Sequence, residues 1–154
     1  MISNIQEPNE YWGIIDAAVH SLSALKEKRA VEPLIQLLKN KDSMIKRTAV
    51  EGLGDIGDIR AVEPIIYLLE DEDWQIRQDA AIALGKIGDK KAVESLIQLL
   101  KDEDKFVRLA AIEALTKIGE FIAIDPIYET IKNEKVNYIA EAMEKAMEEL
   151  RKKI

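Results

Sequence analysis

Cysteine is absent from this 154-residue chain, and histidine occurs once, at His20. Without thiols there are no disulfides and no thiolate metal sites, and a reducing compartment fits. One imidazole does not supply the several His–Glu pairs of an iron enzyme, nor, with no cysteine beside it, a zinc site. Long apolar runs are also missing: none approaches the roughly 20 residues of a membrane span. The first residues, MISNIQEPNEYW, have neither the basic segment nor the apolar run of a signal peptide. These absences predict a soluble, cytoplasmic protein with no cofactor, no metal and no membrane partner.

Positive charge is in deficit as well, with 22 basic against 29 acidic residues and a net charge of −7. Nucleic-acid binders carry a basic footprint because phosphate contacts dominate their affinity, so this balance argues against DNA or RNA. What the chain has in quantity is charge of both signs and isoleucine, a composition that occurs in thermophile proteins. Its length suits one domain with a substantial core.

The most informative presence is repetition. Ala30-Val31-Glu32-Pro33 recurs as Ala61-Val62-Glu63-Pro64, as Ala92-Val93-Glu94-Ser95 and as Ala123-Ile124-Asp125-Pro126, each 31 residues on. Asp42, Asp73 and Asp104 keep this interval, as do Lys46, Arg77 and Arg108, and Gly57, Gly88 and Gly119. Sixteen of the 31 residues in 61–91 are identical in 92–122. Each unit reads as two helices. The first spans about eleven residues, as in AVEPLIQLLKN, with an apolar face at helical spacing. Proline in its first turn is tolerated there, and Asp58, Asp89 and Glu120 precede it as favourable carboxylates. The second helix starts after Asp42, Asp73 or Asp104, each an expected N-cap. It ends at a glycine suited to the left-handed C′ position. Gly54 and Gly85, inside the second helices, imply close approach of a neighbouring helix, and Thr116 in the third unit implies a looser one.

A single hairpin cannot bury its apolar face, whereas stacked hairpins can. The expected fold is therefore an all-α superhelix, an α-solenoid forming one domain over 1–154. Residues 1–29 form an N-terminal half repeat, aligned with a second helix over 10–26, whose first-helix partner is missing or reduced to 1–9. Full repeats follow at 30–60, 61–91 and 92–122, and a divergent capping repeat at 123–154.

Asp73, Ile76, Arg77, Ala80, Ala81, Ala83, Leu84, Gly85, Ile87, Gly88 and Asp89 carry the pattern D-x-x-[VI]-R, then A-A…A-L-G-x-I-G-D. With the A-V-E-P-L-I…L-L-K-D-E-D stretches, this resembles the HEAT-like repeats of the phycobilisome-lyase type, over roughly residues 10–135. The resemblance implies fold more than function. Related repeats serve as protein-binding scaffolds, and occur in bilin lyases, in a di-iron hydroxylase and in DNA glycosylases.

No catalytic constellation is visible. Ser21, His20 and Asp16 do not make a relay, because adjacent helical residues do not face each other. Asp42, Asp73 and Asp104 read as caps, with Lys46, Arg77 and Arg108 four residues later expected to pair with them in a ladder. The acidic runs Glu70–Asp73 and Asp102–Asp104 lack the ligand spacing of a calcium loop and read as solvated connections. In the HEAT architecture the second helices line the concave face. By register its exposed positions are Asp16, Ala17, His20 and Ala24, then Arg47, Thr48, Glu51 and Asp55. Gln78, Asp79, Ile82 and Lys86 follow, and then Leu109, Ala110, Glu113 and Lys117. Asp16 is expected to face Arg47, His20 to face Glu51, and Asp55 to face Lys86. Trp12 and Trp74 share one register position and are either interface anchors or covers over a seam, with Phe106 extending the rim. Tyr128 and Tyr138 align with Ile97 and Val107 and are expected in the core.

The function this implies is a non-catalytic protein–protein interaction or scaffold module that binds a protein or peptide on its concave face. The alternative is an accessory subunit or reduced relative of a bilin-lyase-type enzyme, and a nucleic-acid-binding role comes third. Self-association through the terminal helices stays open.

Overall fold

The computed structural model describes residues 8–154. Three helices of fourteen residues set its period: α3 (Ser43–Ile56), α5 (Trp74–Ile87) and α7 (Lys105–Ile118). Each starts where an aspartate in extended conformation turns its carboxylate onto the free N–H groups of the first turn. Asp42 accepts from the Met44 N–H at 2.8 Å, Asp73 from that of Gln75 at 2.9 Å, and Asp104 from that of Phe106 at 2.8 Å. Each ends where Gly57, Gly88 or Gly119 takes φ of 75°, 77° or 81°. The glycine N–H then closes on the carbonyl four residues back, at Leu53, Leu84 or Leu115.

The first helices are shorter than the eleven residues their apolar pattern suggests. Each opens with a three-residue 3-10 turn, followed by α2 (Val31–Leu37), α4 (Val62–Ile66), α6 (Val93–Leu99) and α8 (Ile124–Ile131). Glu27, Asp58 and Asp89 cap the 3-10 turn rather than the α-helix, each accepting from the N–H two residues on. Glu120 makes no such bond. α4 relaxes back to 3-10 geometry at Tyr67–Glu70. Among the described residues 79% are helical and there is no strand.

The remaining helices are α1 (Pro8–Ala24) and α9 (Asn137–Arg151). α1, α3, α5, α7 and α9 stand in one row, each packed on the next, while α2, α4, α6 and α8 each pack on their own second helix from one side. The core lies between these two layers. Leu53, Ile65, Leu84, Leu96, Leu115 and Ile127 are fully buried there. Within the row, glycine sets the spacing. A Cβ on Gly54 would lie 2.9 Å from the Ala83 Cα, and one on Gly85 2.8 Å from the Ala114 Cα. No real Cβ tolerates that approach to backbone, so α3/α5 and α5/α7 meet main chain to main chain. Among the described residues no helix is long and apolar enough to cross a membrane.

The two ends depart from the pattern. The first-helix partner expected at 1–9 falls mainly on residues 1–7, outside the described residues. Leu25 and Ala18, aligned with core positions, are exposed, while Val19 is buried. Lys26 occupies the register of Gly57 and takes the same left-handed conformation, φ 53°. At the other end the register slips. α7 starts at Lys105 and α9 at Asn137, a spacing of 32. Ile139, Met143, Ala146, Met147 and Leu150 then fill the core, and Tyr138, expected there, is 44% exposed. Tyr128 is likewise exposed rather than core, because its counterpart Ile97 is itself only half-buried.

Candidate protein-binding face

Two side-chain systems run across the row of second helices, and they do different things. The first is a set of clasps beside the helix starts. Lys46 donates to Asp71 at 2.8 Å. Arg77 makes a two-bond fork with Asp102, Nε and Nη2 each at 2.9 Å, and its Nη1 donates to the carbonyls of Asp71 at 2.9 Å and Glu72 at 3.2 Å. Arg108 repeats the arrangement with Glu134, at 2.7 and 3.0 Å, and with the carbonyls of Asp102 and Glu103.

The expected ladder therefore exists, but its carboxylates are not the capping aspartates. Asp42, Asp73 and Asp104 are used by their own helices. The acceptors lie two residues ahead of the following cap, where Asp71 and Asp102 also accept the N–H of Asp73 and Asp104. Nor are the acidic runs uniformly solvated: the Asp102 side chain is 11% exposed and that of Glu103 91%. Burial alone would raise the Asp71 and Glu134 carboxyls, but Lys46 and Arg108, with backbone N–H groups, hold both below the ordinary carboxylate range.

The second system lies on the face of the row turned away from the first helices. Arg47 donates to Asp79 at 2.6 Å and Lys86 to Asp55 at 2.6 Å, each pair joining α3 to α5. The Asp55–Lys86 pairing matches the register expectation, as does the nearness of Glu51 to His20, whose imidazole its charge reaches; Arg47 facing Asp16 does not. Asp16 takes the Thr48 hydroxyl at 3.3 Å and lies 3.4 Å from His20 of its own helix, while Arg47 turns toward Asp79. His20 is exposed. The hydrogen bond to the Asp16 backbone carbonyl, and then the Asp16 charge, raise its pKa. The Ser21 hydroxyl donates to the Ala17 carbonyl at 2.8 Å, so it is not poised against the imidazole.

Of the positions expected to be exposed, Ala17, His20, Ala24, Glu51, Lys86, Glu113 and Lys117 are so, while Asp16, Arg47, Asp55, Gln78, Asp79, Ile82 and Leu109 are half-buried. Thr48 and Ala110 are buried, a correction to their expected exposure. Both sit in the seam with the preceding helix of the row, where small side chains permit closure. Between α1, α3 and α5 the face holds an open hollow of about 300 Å³, with Trp12 and Met44 at one end and Glu51, Asp79 and Lys86 around it. Trp12 is half-buried, and its Nε1 is shielded from water with no acceptor among the described residues. Trp74 is 37% exposed and stacks on Phe106, ring centroids 5.8 Å apart. The two tryptophans share a register position but not an environment.

A hollow of about 850 Å³ lies elsewhere, between α6 and α8, beside Arg108 and Glu134. Sequence reasoning did not find it. Among the described residues no group of three acidic or histidine side chains is arranged to hold a metal ion.

A family model for HEAT repeats matches residues 7–66 and 62–148. No curated protein matches the chain. Among solved structures, the complex of CpcE and CpcF of phycocyanin lyase from a Nostoc species superposes with a TM-score of 0.77 at 28% identity. That match covers 96% of this chain and 62% of the other, so this chain spans under two-thirds of its length. Designed armadillo repeat proteins for modular peptide recognition give 0.69 at 18% identity, over 95% and 78% of the two chains. A designed armadillo repeat protein in complex with the peptide (KR)4 gives 0.65 at 19%, over 88% and 76%. At these identities the two designed proteins show the fold alone.

Proposed function

Because the chain belongs to the HEAT-repeat family, with repeats of the phycobilisome-lyase type, we propose that it is a non-catalytic interaction module binding a protein or peptide on the free, concave-side face of its second helices. The observation that carries this reading is the division of labour across the row. Clasps, caps and glycine seams hold the solenoid from within and along one edge. The face positions Arg47, Gln78 and Leu109, and Glu51, Ile82 and Glu113, change chemistry from unit to unit on a repeating backbone. A surface of that kind is free to vary without disturbing the core, because each unit packs only on its neighbours. Its mixed charge around the half-exposed Ile82 and Leu109 suits a polypeptide better than a phosphate backbone.

The test is hydrogen exchange on the protein with whatever protein co-purifies with it from its source cells. Protection gained by amides of α3, α5 and α7 supports the reading. Protection confined to α2, α4 and α6, around Tyr67 and Gln98, assigns binding to the opposite surface instead.

One observation favours a second reading, an accessory subunit or reduced relative of a bilin-lyase-type enzyme: the 28% identity to a phycocyanin lyase complex across nearly the whole chain. A tetrapyrrole absorbance band in purified material would support it.

A further inference from the structure

We propose that the edge carrying Trp74, Phe106 and Tyr138 is a docking strip for a basic polypeptide segment in which arginine or lysine alternates with apolar side chains. The proposal rests on the reading of the chain as a protein-binding module and names a second surface on it, with the chemistry of its partner.

Three large side chains stand exposed at the starts of successive second helices: Trp74 at 37%, Phe106 at 41% and Tyr138 at 44%. Core packing does not require them, since Ile76, Val107 and Ile139 beside them fill the interior completely. They form a connected track. Trp74 stacks on Phe106 at 5.8 Å, and the Lys105 ammonium lies 5.1 Å from the Phe106 ring centroid and 6.0 Å from that of Tyr138. The chain's own Lys105 thus already places a cation over two of these rings. Among the described residues the Trp74 end of the track has no such cation, and it adjoins the acidic loops Glu70–Asp73 and Asp102–Asp104.

Glu70 and Glu72, just before Trp74, are exposed and make no ion pair among the described residues. Glu103, 91% exposed, only brushes Arg77 at 3.8 Å. The inward-facing Asp71 and Asp102 are consumed by Lys46 and Arg77, so the outward glutamates are what a partner meets. Aromatic faces bordered by unpaired carboxylates attract cations and repel phosphate, anionic lipid and, at a net charge of −7, a second copy of this chain. Same-face side chains of an extended peptide repeat about every 6.8 Å, near the 5.8 Å between the Trp74 and Phe106 ring centroids. Its apolar side chains would lie on the rings while its cations reach the glutamates.

The probe is a fluorescent octapeptide of alternating arginine and leucine, compared with one of alternating glutamate and leucine, followed by anisotropy on the full chain. The expected result is saturable binding of the arginine peptide, weakened by salt, and no binding of the glutamate peptide. Trp74→Ala with Phe106→Ala should weaken it by at least about tenfold. So should Glu72→Lys with Glu103→Lys, which alters only solvent-exposed groups and leaves the fold intact. Ile82→Lys with Leu109→Lys should leave it unchanged. Loss of binding in the Ile82/Leu109 variant but not in the rim variants would overturn the strip while leaving the module reading in place. Absence of binding by the arginine peptide, or equal binding of both peptides, would overturn it as well.

Discussion

The seam between α5 and α7 and the seam between α7 and α9 solve the same packing problem with different parts. In the first, Gly85 brings backbones together, Arg77 forks onto Asp102, and Asp104 caps the arriving helix. In the second, Thr116 stands where the glycine was and its hydroxyl turns back to the Ile112 carbonyl. Glu134 replaces the clasp aspartate, and Val136 leaves α9 without a side-chain cap. One inserted residue separates them, and the longer glutamate still reaches Arg108. The difference teaches that the clasp is the most conserved device within the molecule: it survives a change of spacing that the glycine and the cap do not.

If so, breaking the central clasp has the largest effect. Arg77→Ala leaves Asp102 half-buried without its partner, and chemical denaturation should show a loss of about 3 kcal/mol. Lys46→Ala, which removes a one-bond clasp, should cost about 1 kcal/mol or less. Equal losses would mean the fork geometry is irrelevant.

Closing the comparison from the packing side, Gly85→Ala forces α5 and α7 apart and should destabilise by about 1–3 kcal/mol. Thr116→Ala, in the looser seam, should stay within about 1 kcal/mol by the same measurement.

The caps come next. Asp73→Ala and Asp104→Ala should each lower stability by about 0.5–2 kcal/mol. Val136→Thr keeps the shape and offers α9 the missing acceptor, so it should raise stability by about 0.5–1 kcal/mol. A neutral result would show that the start of α9 needs no cap.

Much of this was legible in the sequence. A register of 31 with Asp at each start and Gly at each stop located α3, α5 and α7, and Gly54 and Gly85 announced the close seams. The clasp partners were not legible, because a capping aspartate and a clasping one look alike in a linear pattern. Only the fold decides that Arg77 reaches 25 residues forward rather than four back. The exposed Tyr138 was misread for a related reason. Its alignment with Val107 assumed an unbroken register, and the single extra residue before α9 gave that core place to Ile139. On the candidate face, register put Asp16 opposite Arg47, yet Arg47 reaches Asp79, one position off that register on the following helix.

A smaller effect follows from pH. Asp71 and Glu134 are held low by their clasps, and Arg29 and Arg60 draw the half-buried Glu27 and Asp58 down to about 2. Carboxyls whose folded pKa lies below the unfolded value contribute stability that is complete above the unfolded value and lost as pH falls toward the folded one. The melting temperature should be level from pH 7 to about 5 and fall between about pH 4.5 and 2 as these four carboxyls take up protons. In the Arg108→Ala variant, Glu134 loses its partner and the fall should be shallower. An unchanged profile would separate the C-terminal clasp from acid sensitivity.

The most direct test of the account is the double variant Ile82→Lys with Leu109→Lys, assayed for capture of the co-purifying protein and for thermal stability. Both side chains are half-buried on the free face, resting on the outside of the core and clear of the clasps, caps and glycine seams. The account predicts binding weakened by at least about tenfold, with a melting temperature close to that of the unaltered chain. Full binding with an intact fold would contradict it.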